Sequence, residues 1–537
     1  ASAWGNNYVL FTSREHFGLM EGRSWRWTDA HFCTLPSQTN VYGHTKILDS
    51  DGTNKLLIAS LVGKIFSVEY QSFFDKLTPF TREIQFTYIP GDDTEINAVD
   101  ALNHCCHGKR LIIAIAFTKA EDNESKQFLN LYTASQYGEE FNMENVAEEC
   151  RLSLELYFVP YQLTHTEMVS SNGRETVFLL SGSDGKIHLF RECNSEHIFI
   201  EEDSGVFFPE FIGSASCVHW LDIVYIDNYT RRLTAMGHQC GLLIASIVDV
   251  QKLEILRTFT VDYDSPITYV SFFTSHNEVN CPEFLKSFIK KEEDERDPQV
   301  PEYHLLALSA LEPAIVYEHV LQHGLTHSII LPDSNKFDAI LCGSVTDIDF
   351  DGENEILIGT YGQELIAYKL NHSKTQHRRD EVNLSTDSCE SNKIWHYSND
   401  DKTMDPPSNQ TFRPPRRVRS QESFPVSLES ENDRSFMDTK KELCVSLKEL
   451  PKNRSDVQAV EEGCLLWQRS FAYPVIGINK LDIMGDGMED LVVVTLKGIH
   501  VLQPDLHEVA EVCFDRLQML TDESSDKKEK DCIVNDT

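Results

Sequence analysis

The segment Asp347–Glu355 reads D-x-D-x-D-G-x-x-E. A hard cation such as calcium takes roughly six to eight oxygen ligands, and a loop can offer them from alternate positions. On that geometry Asp347, Asp349 and Asp351 supply carboxylates, Glu353 a carbonyl and Glu355 the closing carboxylate, while Gly352 permits the sharp bend. The same residues also suit a purely structural turn. There the aspartates accept backbone N–H groups that the bend removes from the sheet ladder. Both readings stay open.

Two partial copies bear on the choice. "ILDSDGTNKLLIAS" keeps Asp49, Asp51 and Gly52 but has Ile47 at the first ligand position and Lys55 at the ninth. "LDIMGDGMEDLVVV" keeps Asp482, Asp486, Gly487 and Asp490 but has Met484 at the third. The three copies share an Asp-Gly turn and the apolar strand after it, rather than a full set of oxygens.

Other reactive-looking groups reduce to loops. "NHCCHGK" from Asn103 to Lys109 crowds two His and two Cys. Contiguous residues cannot wrap a tetrahedral zinc ion without strain, so a loop is expected there. "GHQCG" from Gly237 to Gly241 reads as a turn by the same logic. The sequence has no nucleophile elbow, phosphate loop, dinucleotide fingerprint or H-E-x-x-H motif, and no spacing singles out a pair of carboxylates. No catalytic residue and no cofactor other than calcium is expected, and the chain is read as a non-enzyme. In "RPPRRVRSQESFP", Ser420 follows Arg416, Arg417 and Arg419, and Ser423 precedes Phe424-Pro425. Basic residues ahead of serine suit an arginine-directed kinase, so Ser420 and Ser423 are candidate phosphorylation sites.

The Asp-Gly loops introduce a recurring unit: a short apolar strand, a turn, and a second strand that alternates. Seven copies start at Leu57, Ile112, Phe178, Leu233, Leu306, Leu357 and Val492, the first six 51 to 73 residues apart. Such spacing suits a four-stranded unit. The first strands are apolar on both faces, as when a sheet packs against two neighbours. Gly63, Gly185, Gly241, Gly362 and Gly498 mark the turns and are expected to accept positive φ. No copy can bury its own apolar face, so the units must pack on one another. The expected fold is all-β, a seven-bladed β-propeller. The rival is a pair of stacked β-sandwiches.

This reading divides the chain into an N-terminal extension (1–35), blades one to six (36–370), a disordered insertion between blades (371–462), the last blade (463–504) and a C-terminal helix with a charged tail (505–537). The insertion is rich in Ser, Asn, Asp, Lys and Arg. Leu506, Val509, Ala510, Cys513, Leu517 and Leu520 fall at helical spacing.

Acids outnumber bases 85 to 48 in the 537 residues, for a formal charge of −37. So negative a surface repels nucleic-acid phosphates and anionic lipid heads. No run approaches the ~20 apolar residues needed to cross a bilayer. Neither nucleic-acid binding nor membrane insertion is expected. The 14 cysteines keep no repeating interval and are expected to be free, buried thiols in a reducing, cytoplasmic setting.

The segments "SQTNVYG" (37–43), "ETVFLLSGSDGKIHLF" (175–190), "LEPAIVYEHVLQHGL" (311–325), "GTYGQELIAYKL" (359–370) and "LWQRSF" (466–471) resemble the kaptin family in colinear order. The Asp-Gly loops also resemble FG-GAP repeats of integrin-type propellers. The kaptin resemblance implies a non-enzymatic subunit of the KICSTOR complex, paired with an FG-GAP-repeat propeller. That complex is recruited to the lysosomal surface and holds the Rag-directed GTPase-activating complex there. Target-of-rapamycin complex 1 is thereby restrained in amino-acid or glucose shortage. The resemblance also implies an association with F-actin in lamellipodia and stereocilia. The FG-GAP likeness leaves a third alternative, a calcium-binding adhesion propeller.

Overall fold

The computed structural model describes residues 27–275, 301–370 and 463–514, apart from short gaps at 49–51, 74–75, 90, 92, 105–109, 122–123, 134–142, 171–172, 194–197 and 512–513. Seven four-stranded antiparallel sheets form the blades of a β-propeller.

Blade one holds β2 (His44–Leu48), β3 (Asn54–Ser60), β4 (Lys64–Phe73) and β5 (Lys76–Ile84). Blade two holds β6 (Thr94–His104), β7 (Arg110–Glu121), β8 (Glu124–Thr133) and β9 (Cys150–Leu156). Blade three holds β10 (Pro160–Ser170), β11 (Gly173–Gly182), β12 (Ile187–Cys193) and β13 (Ile198–Glu202). Blade four holds β14 (Val218–Ile226), β15 (Arg231–His238), β16 (Leu242–Asp249) and β17 (Glu254–Asp262). Blade five holds β18 (Ile267–Thr274), β19 (Tyr303–Ser309), β20 (Ile315–Tyr317) and β21 (Ser328–Ile330). Blade six holds β22 (Ile340–Thr346), β23 (Glu355–Thr360), β24 (Glu364–Leu370) and β25 (Gly463–Ser470). Blade seven holds β26 (Val475–Leu481), β27 (Asp490–Thr495) and β28 (Gly498–Pro504), and its fourth strand is β1 (Trp27–Thr34). Short helices α1 (Met143–Glu148), α2 (Ser204–Phe207) and α3 (Val320–His323) sit between strands.

The doubly apolar second strands explain the ring. Leu57 and Ala59 pack toward blade two, while Leu56 and Ile58 pack toward blade seven. In blade five, Leu305 and Ala307 face blade four, and Leu306 and Leu308 face blade six. Seven separate clusters of buried apolar residues result, one at each blade interface. Each second strand therefore serves two interfaces, which is why it carries no polar face.

Two boundaries differ from the sequence expectation. Residues 1–35 are not wholly an extension, because Trp27–Thr34 pairs with β28 and completes the last blade. Gly463–Ser470 belongs to blade six, paired with β24, so residues 371–462 join two strands of one blade rather than two blades. Both segments are outermost strands. With one face toward solvent they show mixed exposure, B-e-e-i-i-e-i-e and B-i-e-e-i-e-i-e, and lack an apolar run. The expected disorder of 371–462, and Ser420 and Ser423 within it, lie outside the described residues. Residues 506–511 are helical, but Leu506 and Ala510 of the expected apolar stripe are exposed.

The turn glycines divide into two kinds. Gly241 has φ +89°, and a Cβ there would lie 2.2 Å from the carbonyl oxygen of Tyr263. Gly362 does not take the expected positive φ. Its neighbour Gln363 does, at 70°, and Gly362 is required instead because a Cβ would meet the Phe337 carbonyl oxygen at 2.3 Å. Gly498 likewise makes room for the Phe32 ring. Among the described residues seven cysteines are free thiols, and of these only Cys342 is fully buried. Cys240 is exposed, and the other five are partly buried.

Candidate functional site

The first strand of each blade lines the central channel, and the three Asp-Gly loops each join a first strand to a second in blades six, seven and one. They are therefore neighbours on one end of the ring. In blade six, Asp347, Asp349 and Glu355 converge, with ligand-type oxygens within 4.8 Å of one another. Lys369, on β24, reaches the same point. Its Nζ lies 2.8 Å from Asp349 Oδ2 and 3.1 Å from Glu355 Oε1, and it also contacts Asp351 Oδ2. The ammonium supplies a positive charge where the calcium reading would place an ion. While it holds these contacts the loop does not fit calcium, which would have to displace it.

Other carboxylate oxygens brace the loop itself, while Asp347 Oδ1 is buried with no hydrogen-bond partner among the described residues. Gly352 N–H donates to Asp347 Oδ2 (3.0 Å), Ile348 N–H to Glu355 Oε2 (2.9 Å), and Asp351 N–H to Asp349 Oδ1 (3.3 Å). Glu353 N–H donates to Asp351 Oδ1 at 2.9 Å. Burial pushes the Glu355 carboxyl up to about 7, with the Ile348 N–H pulling it down, Asp349 adding to the rise and Lys369 opposing it. Burial would lower the Lys369 ammonium, but its bonds to Asp349 and Asp351 and the charge of Glu355 raise it above its ordinary value.

The same position in the sister loops carries different chemistry. Extended by one residue, the cross-strand register places Glu355 opposite Lys369, Lys55 opposite Glu69, and Asp490 opposite Gln503. Lys55 Nζ lies 2.7 Å from Glu69 Oε2, so blade one holds the same ion pair with its signs exchanged. In blade seven, burial pushes the Asp490 carboxyl up to about 7; Asp486 adds to this, and Met484 and Gln503 oppose it. Asp482 accepts N–H bonds from Gly485 (2.7 Å), Asp486 (3.1 Å) and Gly487 (2.9 Å). What the loops of blades six and seven keep in common is a carboxylate-braced turn. Sequence reading missed Lys369, because its role depends on the register between β23 and β24; counting five residues outward from Thr360 and from Glu364, on either side of the turn, would have paired it with Glu355.

Polar ties between neighbouring blades run around the ring. Thr45 and His165 meet the two oxygens of Asp100 at 3.2 and 2.7 Å, linking blades one, two and three. Gln162 exchanges two hydrogen bonds with the Leu221 backbone, joining blades three and four. Asp222 accepts from Phe272 N–H at 2.6 Å, and burial pushes its carboxyl up to about 6. Asn354 donates to the Thr274 carbonyl at 2.9 Å, joining blades five and six. Lys480 Nζ donates to the Asp347 carbonyl, and Lys46 Nζ to that of Lys480 at 2.9 Å, closing six to seven and seven to one. At the opposite end of the channel, Tyr42 reaches from blade one to the His219 carbonyl of blade four (2.9 Å), and its ring lies 5.9 Å from that of Trp220. Apart from Asp347, the polar side chains of these ties were not singled out in the sequence, since each is a lone polar residue on a separate strand.

In the other sequence candidates, the described residues take structural roles. In "GHQCG", His238 is buried, with Nδ1 2.8 Å from the Leu242 carbonyl and Nε2 3.0 Å from Ser214 Oγ, and residues 239–240 form the turn. In "NHCCHGK", Asn103 Nδ2 donates to the Leu48 carbonyl at 2.6 Å, tying blade two to blade one, and residues 105–109 lie outside the described set. Among the described residues no helix is long and apolar enough to cross a membrane.

The geometry is that of a braced ring. Comparison with known proteins gives it a family. The family described as KICSTOR complex protein kaptin matches residues 27–396 and 441–514. The mouse protein named KICSTOR complex protein kaptin is 34% identical over 487 residues, covering 91% of this chain and 90% of its own length. The first matched residue is the one at which β1 begins, so the match takes in the closing strand of the last blade. A seven-bladed propeller matched from its closing strand to its last blade, at this identity, belongs to the kaptin family.

Proposed function

We propose that this chain is a non-enzymatic scaffold subunit of a KICSTOR-type complex. In this reading it helps recruit the Rag-directed GTPase-activating complex to the lysosomal surface and so restrains mTOR complex 1 when amino acids or glucose are short. The observation that carries the proposal is the kaptin match across 91% of the chain, to a relative whose name assigns it to the KICSTOR complex.

The rim of the ring supports a role in assembly. Outermost strands present apolar side chains to solvent in six of the seven blades: Leu77 and Phe80, Ile198 and Ile200, Ile255 and Leu256, Ile330, Leu465 and Leu466, and Phe32. Scattered exposed apolar residues are ordinary, but here they recur at the same radial position of a rigid frame. Each also lies on an edge strand with unpaired backbone groups, a surface that another protein can cover. The internal clusters and ties leave the ring little freedom to deform, which suits a part that holds others in fixed relation.

Affinity purification from cells of the source organism tests the proposal. The expected result is recovery of the other KICSTOR subunits, including an FG-GAP-repeat propeller, at comparable abundance to the bait. Recovery of the folded bait without them overturns it.

A further inference from the structure

Strand direction alternates within each blade, so the turns between second and third strands share one end of the ring with the connections between blades. The Asp-Gly loops lie at the other end. The first end carries exposed Tyr88, Tyr157, Ile212, Leu311 and Tyr361 on its loops. Among the described residues, the loops joining strands at the Asp-Gly end carry no exposed large apolar side chain. Single exposed apolar residues are ordinary. Blade packing, which is the same at both ends, does not account for their gathering at one.

Between blades five and six these side chains stand on a fixed frame. Leu311, 74% exposed, sits in the turn after β19; its N–H donates to Ser265 Oγ at 3.2 Å, and Asp264 N–H donates to Glu312 Oε1 at 3.2 Å. Tyr361, 55% exposed, sits in the turn after β23; its N–H donates to the Ala339 carbonyl at 2.8 Å, and the Phe337 carbonyl leaves no room for a Cβ at Gly362. The connection 331–339 links the two turns, because Leu331 N–H donates to the Ala314 carbonyl (2.9 Å) and Ala314 N–H to Ser334 Oγ (2.9 Å). Asp333, Asp338 and Gln363 hold left-handed backbone, with φ of 61°, 68° and 70°. Such backbone costs free energy and persists only where its surroundings enforce it. A partner would therefore meet a surface that is already ordered, and its binding energy is not spent on ordering it.

Charge selects the partner. The four stretches that build this sector, 263–266, 310–314, 331–339 and 360–364, hold five acids (Asp264, Glu312, Asp333, Asp338 and Glu364) and one base, Lys336, which pairs with Asp333. Two apolar anchors among carboxylates complement a segment that presents both basic and apolar side chains. The formal charge of −37 acts in the same sense at longer range, drawing a basic surface in and repelling an acidic one.

We propose that this sector seats a second protein, which lays a basic, lysine-bearing segment with apolar side chains over Leu311 and Tyr361. The proposal rests on the scaffold reading and takes the seated protein to be another subunit of the same complex. The test purifies the full chain and its L311S/Y361S and D264N/D338N variants with their partners from cells, with circular dichroism to show that each keeps the parental fold. A carbodiimide then joins carboxylates directly to lysine amines. The parent should couple Asp264, Asp338 or Glu364 to lysines of one co-purified KICSTOR subunit. Recovery of that subunit should fall at least tenfold in L311S/Y361S and several-fold in D264N/D338N. Parental recovery by both variants, or coupling of these carboxylates only within this chain, overturns the docking sector and leaves the scaffold reading standing. Recovery of no KICSTOR subunit by the folded parent overturns both. Should L311S/Y361S not fold, D264N/D338N decides: a several-fold loss supports the proposal, and undiminished recovery overturns it.

Discussion

Replacing Lys369 by Met tests whether the blade-six loop carries its own counter-ion. The lysine side chain is 20% exposed and contacts Asp349 (13%), Asp351 (42%) and Glu355 (0%). Removing one partner of a fully buried ion pair costs about 3–5 kcal/mol, whereas exposed pairs contribute about 0–1 kcal/mol. This cluster lies between those limits. One carboxylate is fully enclosed, one is mostly enclosed, and the third can be solvated by water once the lysine is gone. A loss of roughly 2–3 kcal/mol at neutral pH follows. Urea denaturation would read it as a lower midpoint at unchanged slope. E355Q/K369M, which also removes the enclosed negative charge, should recover about half of the deficit. Calcium supplies a sharper discrimination: millimolar calcium should raise the midpoint of K369M and leave the parent unchanged. A K369M midpoint within about 0.5 kcal/mol of the parent would refute the counter-ion argument, and so would stabilisation of the parent by calcium.

Asp222 should make stability pH-dependent. Its carboxyl is pushed up to about 6 from an ordinary value of 3.8, chiefly by burial, with N–H bonds from Phe272 and Ile223 opposing the rise. A raised native pKa means that the native state holds the proton more tightly than the unfolded chain. Stability is therefore fully present below the ordinary value and is lost as pH rises through about 6. D222N keeps an acceptor for Phe272 N–H, so its melting temperature should vary less than the parent's between pH 4.5 and 8; parallel profiles would count against the assignment. Trp27→Ala should loosen ring closure, since Trp27 is 8% exposed, donates to the Ile348 carbonyl at 3.3 Å and accepts from Arg469 at 2.8 Å through its own carbonyl. A loss of about 3–5 kcal/mol is expected from so large a truncation, with hydrogen exchange rising first in β1 and β28; unchanged protection of those strands would contradict it.

The repeat was legible because the ring imposes a severe demand on its second strands. Leu56-Leu57-Ile58-Ala59 and Leu305-Leu306-Ala307-Leu308 each serve two interfaces, so their apolar runs cannot be interrupted. Outermost strands face no such demand, and Trp27–Thr34 and Gly463–Ser470 passed as extension and blade start. The Asp-Gly loops were visible as turns, but Lys369 was not visible as their partner, since twenty residues separate Lys369 from Asp349 and only pairing brings them together. The ties at Asp100, Gln162 and Asp222 have partners on other blades, a relation with no linear trace.

The last blade draws one strand from Trp27–Thr34 and three from Val475–Pro504. During synthesis the first of these leaves the ribosome long before its partners exist, and it must wait, unpaired, while six other sheets are made. Until then the half-built circle exposes the apolar flanks of blades one and six, surfaces that attract unwanted company. Nascent chains of this design should thus lean on chaperones until their final strands emerge.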